Sequence, residues 1–182
     1  TRVKADILFA TARRHKDSLS AALFSDNLPV SLYSGLIEAV HEGQATLNRY
    51  LKLKQQCLGL DALHIYDAYV SVVPMPERNY SFEKACDIIR RGLKPLGPVY
   101  LEALEQHLTG RYIDVFETPS KTSGAYSWGS YKTHPYILLN FTGTLSDLFT
   151  LAHELGHSLH TWFSNRLTYV QAHYPIFLAE IA

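Results

Sequence analysis

The sequence has few of the residues that mark unusual protein classes. It contains two cysteines, Cys57 and Cys86, in 182 residues, which argues against a fold held by disulfides and fits a reducing, cytoplasmic setting. No stretch of the sequence reaches the roughly 18 consecutive apolar residues that a membrane-spanning helix needs. Neither charge sign is in excess, since 17 Lys and Arg balance 17 Asp and Glu. We therefore expect neither a membrane partner nor a nucleic-acid partner, which would need clustered basic residues.

The sequence does have the composition of a globular protein, with 47% hydrophobic and 19% charged residues. A chain of this length can bury roughly 70% of its unfolded surface, so a hydrophobic core is feasible. It begins at Thr1 inside a helical pattern and ends on apolar positions that are typical of the first turns of a helix. We therefore expect it to be part of one larger domain that continues at both ends.

Residues 1–109 are predicted to form a helical region. Apolar residues recur at helical spacing through residues 3–23, with the basic residues 13–16 inside this run, and again through residues 32–58 up to Gly59. The two runs predict a helical hairpin in which each helix buries one apolar face. Ser81 is a suitable N-cap for a third helix, and a Pro-Leu-Gly-Pro sequence at residues 95–98 separates it from a fourth.

Residues 110–182 are predicted to combine strands and helix. Three short segments rich in β-branched and aromatic residues, at 112–116, 124–128 and 136–141, predict a small antiparallel sheet. Helix resumes after Thr144, where Asp147 completes the pattern of a capping box, and a further helix is expected to start near Pro175. The fold class is therefore mainly α, with a small antiparallel sheet beside the helix that begins after Thr144.

That helix carries the motif with the clearest chemistry. Residues 153–157 read His-Glu-Leu-Gly-His, so His153 and His157 lie on one face of the helix and can reach one metal ion, with Glu154 beside them. The alternative is a core helix with two satisfied histidines. It is disfavoured because burying these polar side chains without partners is costly and because the helix already has an apolar stripe, formed by Leu151, Ala152, Leu155 and Leu159.

The residues alone leave three candidates for the third protein ligand of such a site. Catalytic zinc normally has three protein ligands and one open position. The metzincin pattern HExxHxxGxxH is excluded, because His160 and Phe163 occupy its Gly and final His positions. Glu180 has the only side-chain carboxylate downstream of His157 and is favoured, while His173 and His160 stay open as alternatives.

Several further segments accompany this motif in a fixed order. They are Ile-Tyr-Asp-Ala-Tyr at 65–69, Tyr-Ser-Phe at 80–82, Lys-Thr-Ser-Gly-Ala-Tyr at 121–126, Ile-Leu-Leu-Asn-Phe at 137–141, the residues 151–160 and Leu-Ala-Glu-Ile-Ala at 178–182. Together they resemble peptidase family M3, and within it the oligoendopeptidase F branch, over nearly the whole chain. The resemblance implies a helical zincin-type metallopeptidase fold, one Zn²⁺ per chain bound by His153, His157 and Glu180, and Glu154 as general base.

The same resemblance implies an activity and partners. It indicates a zinc-dependent endopeptidase that hydrolyses short oligopeptides admitted to a deep channel. Members of this family continue beyond the segment at 178–182, and their downstream half supplies a His and a Tyr that assist the tetrahedral intermediate. The expected partners are therefore short peptides and the missing C-terminal half of the same protein, and we expect the isolated 182 residues to have low or no activity.

The sequence leaves two questions open, the role of residues 124–126 and whether the chain is catalytic. The segment Gly124, Ala125 and Tyr126 is a candidate for binding the substrate backbone by strand addition, or else forms a purely structural hairpin. The whole chain could also be a non-catalytic helical peptide-binding or scaffold fragment that retains a zinc site.

Overall fold

The computed structural model of the protein describes residues 1–73 and 79–181. The chain divides into two compact units, Thr1–Pro76 and Glu77–Ala182. Ala182, the last residue of the motif at 178–182, lies outside the described residues, and the division at residue 109 into regions of one larger catalytic domain stays a prediction. No helix in either described range is long and apolar enough to cross a bilayer.

The first unit contains three α-helices among its described residues: α1 (Arg2–Ala12), α2 (Ser18–Phe24) and α3 (Val30–Leu58). The prediction of one continuous helix through residues 3–23 is wrong. Arg14 adopts a φ of 62°, and the Asp17 carboxylate accepts a hydrogen bond of 2.7 Å from the Ser20 amide, which starts a new helix. The basic cluster at 13–16 therefore belongs mainly to the turn between α1 and α2.

Helix α3 ends at Gly59, as predicted, where a φ of 65° favours glycine. Its apolar residues stay largely exposed in this chain, so the expectation that it buries one apolar face is not met. Its buried residue is Lys54, whose ammonium donates a 2.6 Å hydrogen bond to the Ala68 carbonyl. This bond ties the 3₁₀ turn Ile65–Tyr69 to α3.

The second unit is built around helix α6 (Leu145–Ser164), with α4 (Phe82–Gly92), α5 (Pro98–Thr109), α7 (Tyr169–Ala172) and α8 (Ile176–Ala179) in the same unit. Ser81 caps α4 as predicted, because its hydroxyl accepts a hydrogen bond from the Lys84 amide. Three leucines of α6 that are 0–1% exposed lie in the core, namely Leu151, Leu155 and Leu159. They pack with apolar residues of α4, α5 and the sheet.

The sheet of the second unit consists of β1 (Ile113–Asp114), β2 (Tyr126–Trp128) and β3 (Tyr136–Leu138), in the order β1-β3-β2. A mainly helical fold with a small sheet is confirmed, but the sheet is mixed rather than antiparallel. Strand β2 pairs antiparallel with β3, whereas β1 pairs parallel with it. The reason is that β2 reverses the chain between β1 and β3, so these two strands run in the same direction. Within the described sheet, β2 lies at one edge.

The N-terminus of α6 is held by the predicted capping box. The Thr144 hydroxyl accepts a hydrogen bond from the Asp147 amide, and the Asp147 carboxylate accepts one of 2.9 Å from the Thr144 amide. The same carboxylate accepts two further hydrogen bonds, from the amide and the hydroxyl of Thr142. Burial raises the pKa of Asp147, but the hydrogen bonds from Thr144 and Thr142 outweigh it, so the pKa is lowered from its usual 3.8.

Asp147→Ala is therefore expected to lower the free energy of unfolding by about 1 kcal/mol at neutral pH, through loss of a helix cap. The pKa of Asp147 is lower in the folded state than in the unfolded state. The stabilisation by its carboxylate is therefore fully present above the unfolded pKa and is lost as the pH falls through the folded pKa. Urea unfolding at neutral pH and in acid measures the difference in the free energy of unfolding between Asp147→Ala and the parent. Ser146→Ala, at the neighbouring exposed position, is the control. A difference that stays the same in acid would contradict this explanation.

Candidate metal centre and active site

Two histidines of α6 form the first part of the candidate metal centre. His153 and His157 lie one turn apart, and their Nε2 atoms are 3.0 Å from each other. The side chain of His153 is 53% exposed and that of His157 is 18% exposed. The helix therefore presents both nitrogens at its surface, where a metal ion could reach them.

Glu180 completes this group from the other side. It is the residue that follows α8, and its Oε2 atom lies 3.8 Å from Nε2 of His153 and 3.8 Å from Nε2 of His157. Ligands of a tetrahedral zinc ion, each about 2.0–2.1 Å from the metal, lie roughly 3.3 Å apart. The separations in this group lie on both sides of that value. Two imidazoles and one carboxylate also match the ligand chemistry of catalytic zinc, so the residues fit the ion.

The two alternative ligands lie elsewhere. His160 stacks its ring on Tyr174, with a centroid distance of 3.9 Å. His173 is exposed and lines a cavity of about 630 Å³ near the end of β2. In the part of the chain that the structure describes, the group of potential metal ligands around His153 and His157 includes Glu180 and neither of these histidines.

Glu154 lies beside the two histidines and is only 7% exposed. Burial raises its pKa, while the charges of His157 and His153 and the backbone amide of Ser127 oppose this effect; the net pKa is above the usual value. Its Oε2 atom is buried and accepts no hydrogen bond from any described residue. This oxygen therefore has no donor that would stabilise the ionised carboxylate, in agreement with the raised pKa.

The candidate substrate strand lies next to α6. Gly124 and Ala125 line a cavity of about 260 Å³, together with Thr150, which is one turn before His153 on α6. Tyr126 is the first residue of β2 and is 52% exposed. The Asn140 amide fixes the approach to the strand by donating hydrogen bonds to the carbonyls of Thr122 and Gly124.

The other end of β2 is packed closely on α6. A Cβ atom on Gly129 would lie 2.9 Å from Cγ2 of Thr161 and 3.0 Å from Cβ of Pro135. Only a residue without a side chain lets the chain pass α6 at this distance. The cavity near His173 begins here and is lined by Trp128 and Thr161. Strand β2 therefore runs between two cavities and is held against the helix that carries the HExxH motif.

Sequence reasoning missed three residues of this region. The backbone amide of Ser127 lowers the pKa of Glu154. The hydroxyls of Thr161 and Tyr174 are 2.7 Å apart and share a hydrogen bond. These contacts join segments that are far apart in the chain, so no spacing pattern could reveal them. The nearest signal was the position of His160 one turn after His157.

Comparison with known sequences decides the family. The sequence model of peptidase family M3 matches residues 1–182. The chain belongs to peptidase family M3. It is 38% identical to oligopeptidase PepF of Bacillus subtilis, covering 99% of this chain and 27% of that protein. It is also 40% identical to an oligoendopeptidase F homologue of Lactococcus lactis, covering 100% of this chain and 30% of that protein.

These relatives place this M3 chain in the oligoendopeptidase F branch, as the sequence motifs predicted. The fold agrees with a crystal structure of a Chlamydophila abortus protein regarded as a peptidase, which is 43% identical and superposes with a TM-score of 0.81. That match covers 99% of this chain and 30% of the other. The chain thus spans less than a third of the length of the relatives that it matches.

Proposed function

We propose that this M3 chain is the metal-binding part of a zinc-dependent endopeptidase that hydrolyses peptide bonds in short oligopeptides. The observation that carries the proposal is the convergence of two histidine nitrogens and one carboxylate oxygen, all within 4.8 Å of one another. Membership of a peptidase family supports the reaction type. The proposed location is the cytoplasm.

His153, His157 and Glu180 would hold one zinc ion per chain. When bound, zinc supplies a Lewis acid that activates water and polarises the scissile carbonyl. Glu154 acts as the general base: its carboxylate takes a proton from the attacking water and later passes it to the leaving amine. A non-catalytic peptide-binding module would have no use for a buried carboxylate with an unused oxygen, which favours the enzyme.

The backbone of Gly124, Ala125 and Tyr126 would bind the substrate. An extended peptide can add to an exposed sheet edge through main-chain hydrogen bonds, which do not depend on its side chains. Because β2 is at the edge of the described sheet and is packed on α6, a peptide bound there would lie close to Glu154. Most of the length of the relatives lies outside the part that this chain matches. The corresponding part of this protein would provide further groups that stabilise the transition state.

Glu180→Gln tests the ligand set. The variant is expected to bind zinc at least about tenfold more weakly, since loss of groups that merely support a ligand already costs about 10–100-fold in affinity. Chelator competition on the complete protein measures this affinity. His173→Ala is the matched control, because His173 was an alternative ligand, and it should keep parental affinity. Parental zinc binding in Glu180→Gln would contradict the assignment.

A further inference from the structure

The segment that carries Glu180 is joined to α6 through Tyr174. The ring of this half-buried tyrosine stacks on His160, with a centroid distance of 3.9 Å and an interplanar angle of 18°. Its hydroxyl forms a 2.7 Å hydrogen bond with the Thr161 hydroxyl. Among the described residues, no other hydrogen bond links residues 173–181 to α6.

Helix α8 is too short to fix Glu180 by itself. It comprises only the four residues Ile176–Ala179, and a single helical turn has little stability of its own. The Glu180 side chain is 64% exposed, so little packing restrains it. Pro175 connects Tyr174 directly to α8, with a φ of −72°, and its ring restricts rotation at this connection. The position of Glu180 therefore depends on where Tyr174 is held.

We propose that Tyr174 is a positioning residue for the metal ligand Glu180, an inference that rests on the zinc site proposed above. Its contacts are with His160 and Thr161, which follow His157 by about one turn on the same helix. The helix that provides the two histidine ligands thus also anchors the third. With the start of α8 fixed in this way, the carboxylate is held near both Nε2 atoms before zinc binds, and less conformational freedom is lost on binding.

Zinc affinity of the complete protein tests this role. Tyr174→Leu removes both the ring stacking and the hydroxyl, and it is expected to weaken zinc binding by about 10–100-fold, as is typical of groups that orient a ligand. Tyr174→Phe keeps the ring and should lie between Tyr174→Leu and the parent. Tyr169→Leu is the control, because this tyrosine lies on α7 in the same part of the chain and is 71% exposed. It should keep parental affinity.

A double-mutant cycle separates positioning from a general structural role. In the Glu180→Gln background, Tyr174→Leu should cause little further loss of zinc affinity, because the ligand that it positions is already impaired. An equal loss in both backgrounds would show that Tyr174 supports the fold in general and would overturn the proposal. Circular dichroism of the metal-free proteins gives the folded fraction, and Tyr174→Phe replaces Tyr174→Leu in the cycle if the leucine variant does not fold.

The cycle also distinguishes this inference from the one on which it rests. If Glu180→Gln alone binds zinc as the parent does, Glu180 is not a ligand, and both the ligand set and the role of Tyr174 are wrong. If Glu180→Gln weakens zinc binding while Tyr174→Leu and Tyr174→Phe do not, the ligand set stands and only the positioning role is wrong.

Discussion

Glu154→Gln is expected to leave zinc bound and to lower peptide cleavage by at least about 10²–10⁴-fold, the usual contribution of a general base. Glutamine has nearly the same size as glutamate but cannot accept a proton from water at neutral pH. The metal should be unaffected, because Glu154 is not part of the group formed by His153, His157 and Glu180.

Turnover of a short fluorogenic peptide by the complete protein, together with zinc content, measures both effects. Glu102→Gln on α5 is a suitable control, because it makes the same chemical change outside the candidate site. It should cleave the peptide at the parental rate. Near-parental turnover by Glu154→Gln would show that a different group activates the water.

Leu155→Ala is expected to lower the free energy of unfolding by about 2–5 kcal/mol, the range for truncating a buried leucine. Leu155 is 0% exposed and belongs to the core, yet it directly follows Glu154. One helix thus buries Leu155 on its inner side and presents the two histidines on its outer side. The cavity left by the truncation would destabilise the element that carries the site.

Phe149→Ala is the matched comparison for this prediction. Phe149 lies on the same helix but is 66% exposed, so its replacement should change stability by no more than about 0.5 kcal/mol. Urea unfolding of both variants gives the two differences. Equal losses would mean that Leu155 contributes through helix formation rather than through burial in the core.

Local interactions made part of this structure predictable. The caps at Ser81 and Thr144 depend on atoms within three residues, and both are present. The common face of His153 and His157 follows from helical periodicity alone. The sequence did not reveal the break between α1 and α2, because the left-handed conformation of Arg14 has no clear signal in a residue other than glycine.

Features that depend on distant contacts were only partly predictable. The parallel pairing of β1 with β3 joins Ile113 to Ile137, with β2 between them in the chain, and no local pattern specifies it. The proximity of Glu180 to the two histidines was favoured by the count of carboxylates and the family motif, but no pattern in the sequence separated it from His173 or His160 as a neighbour of His153 and His157. The role of Tyr174 could not be anticipated, since it arises from packing between the segment that follows α7 and α6.

The close packing of Gly129 on Thr161 has a consequence for where peptides would be cut. This contact sets the position of strand β2 along helix α6. If a peptide adds to β2 as proposed, its alignment along the strand would decide which of its bonds faces Glu154. Successive side chains of an extended peptide point to opposite faces, and a shift by one residue exchanges the faces. In the proposed complex, only shifts by two residues would keep each side chain of the peptide on the same face. With this binding mode, the bonds cleaved within one peptide would be two residues apart.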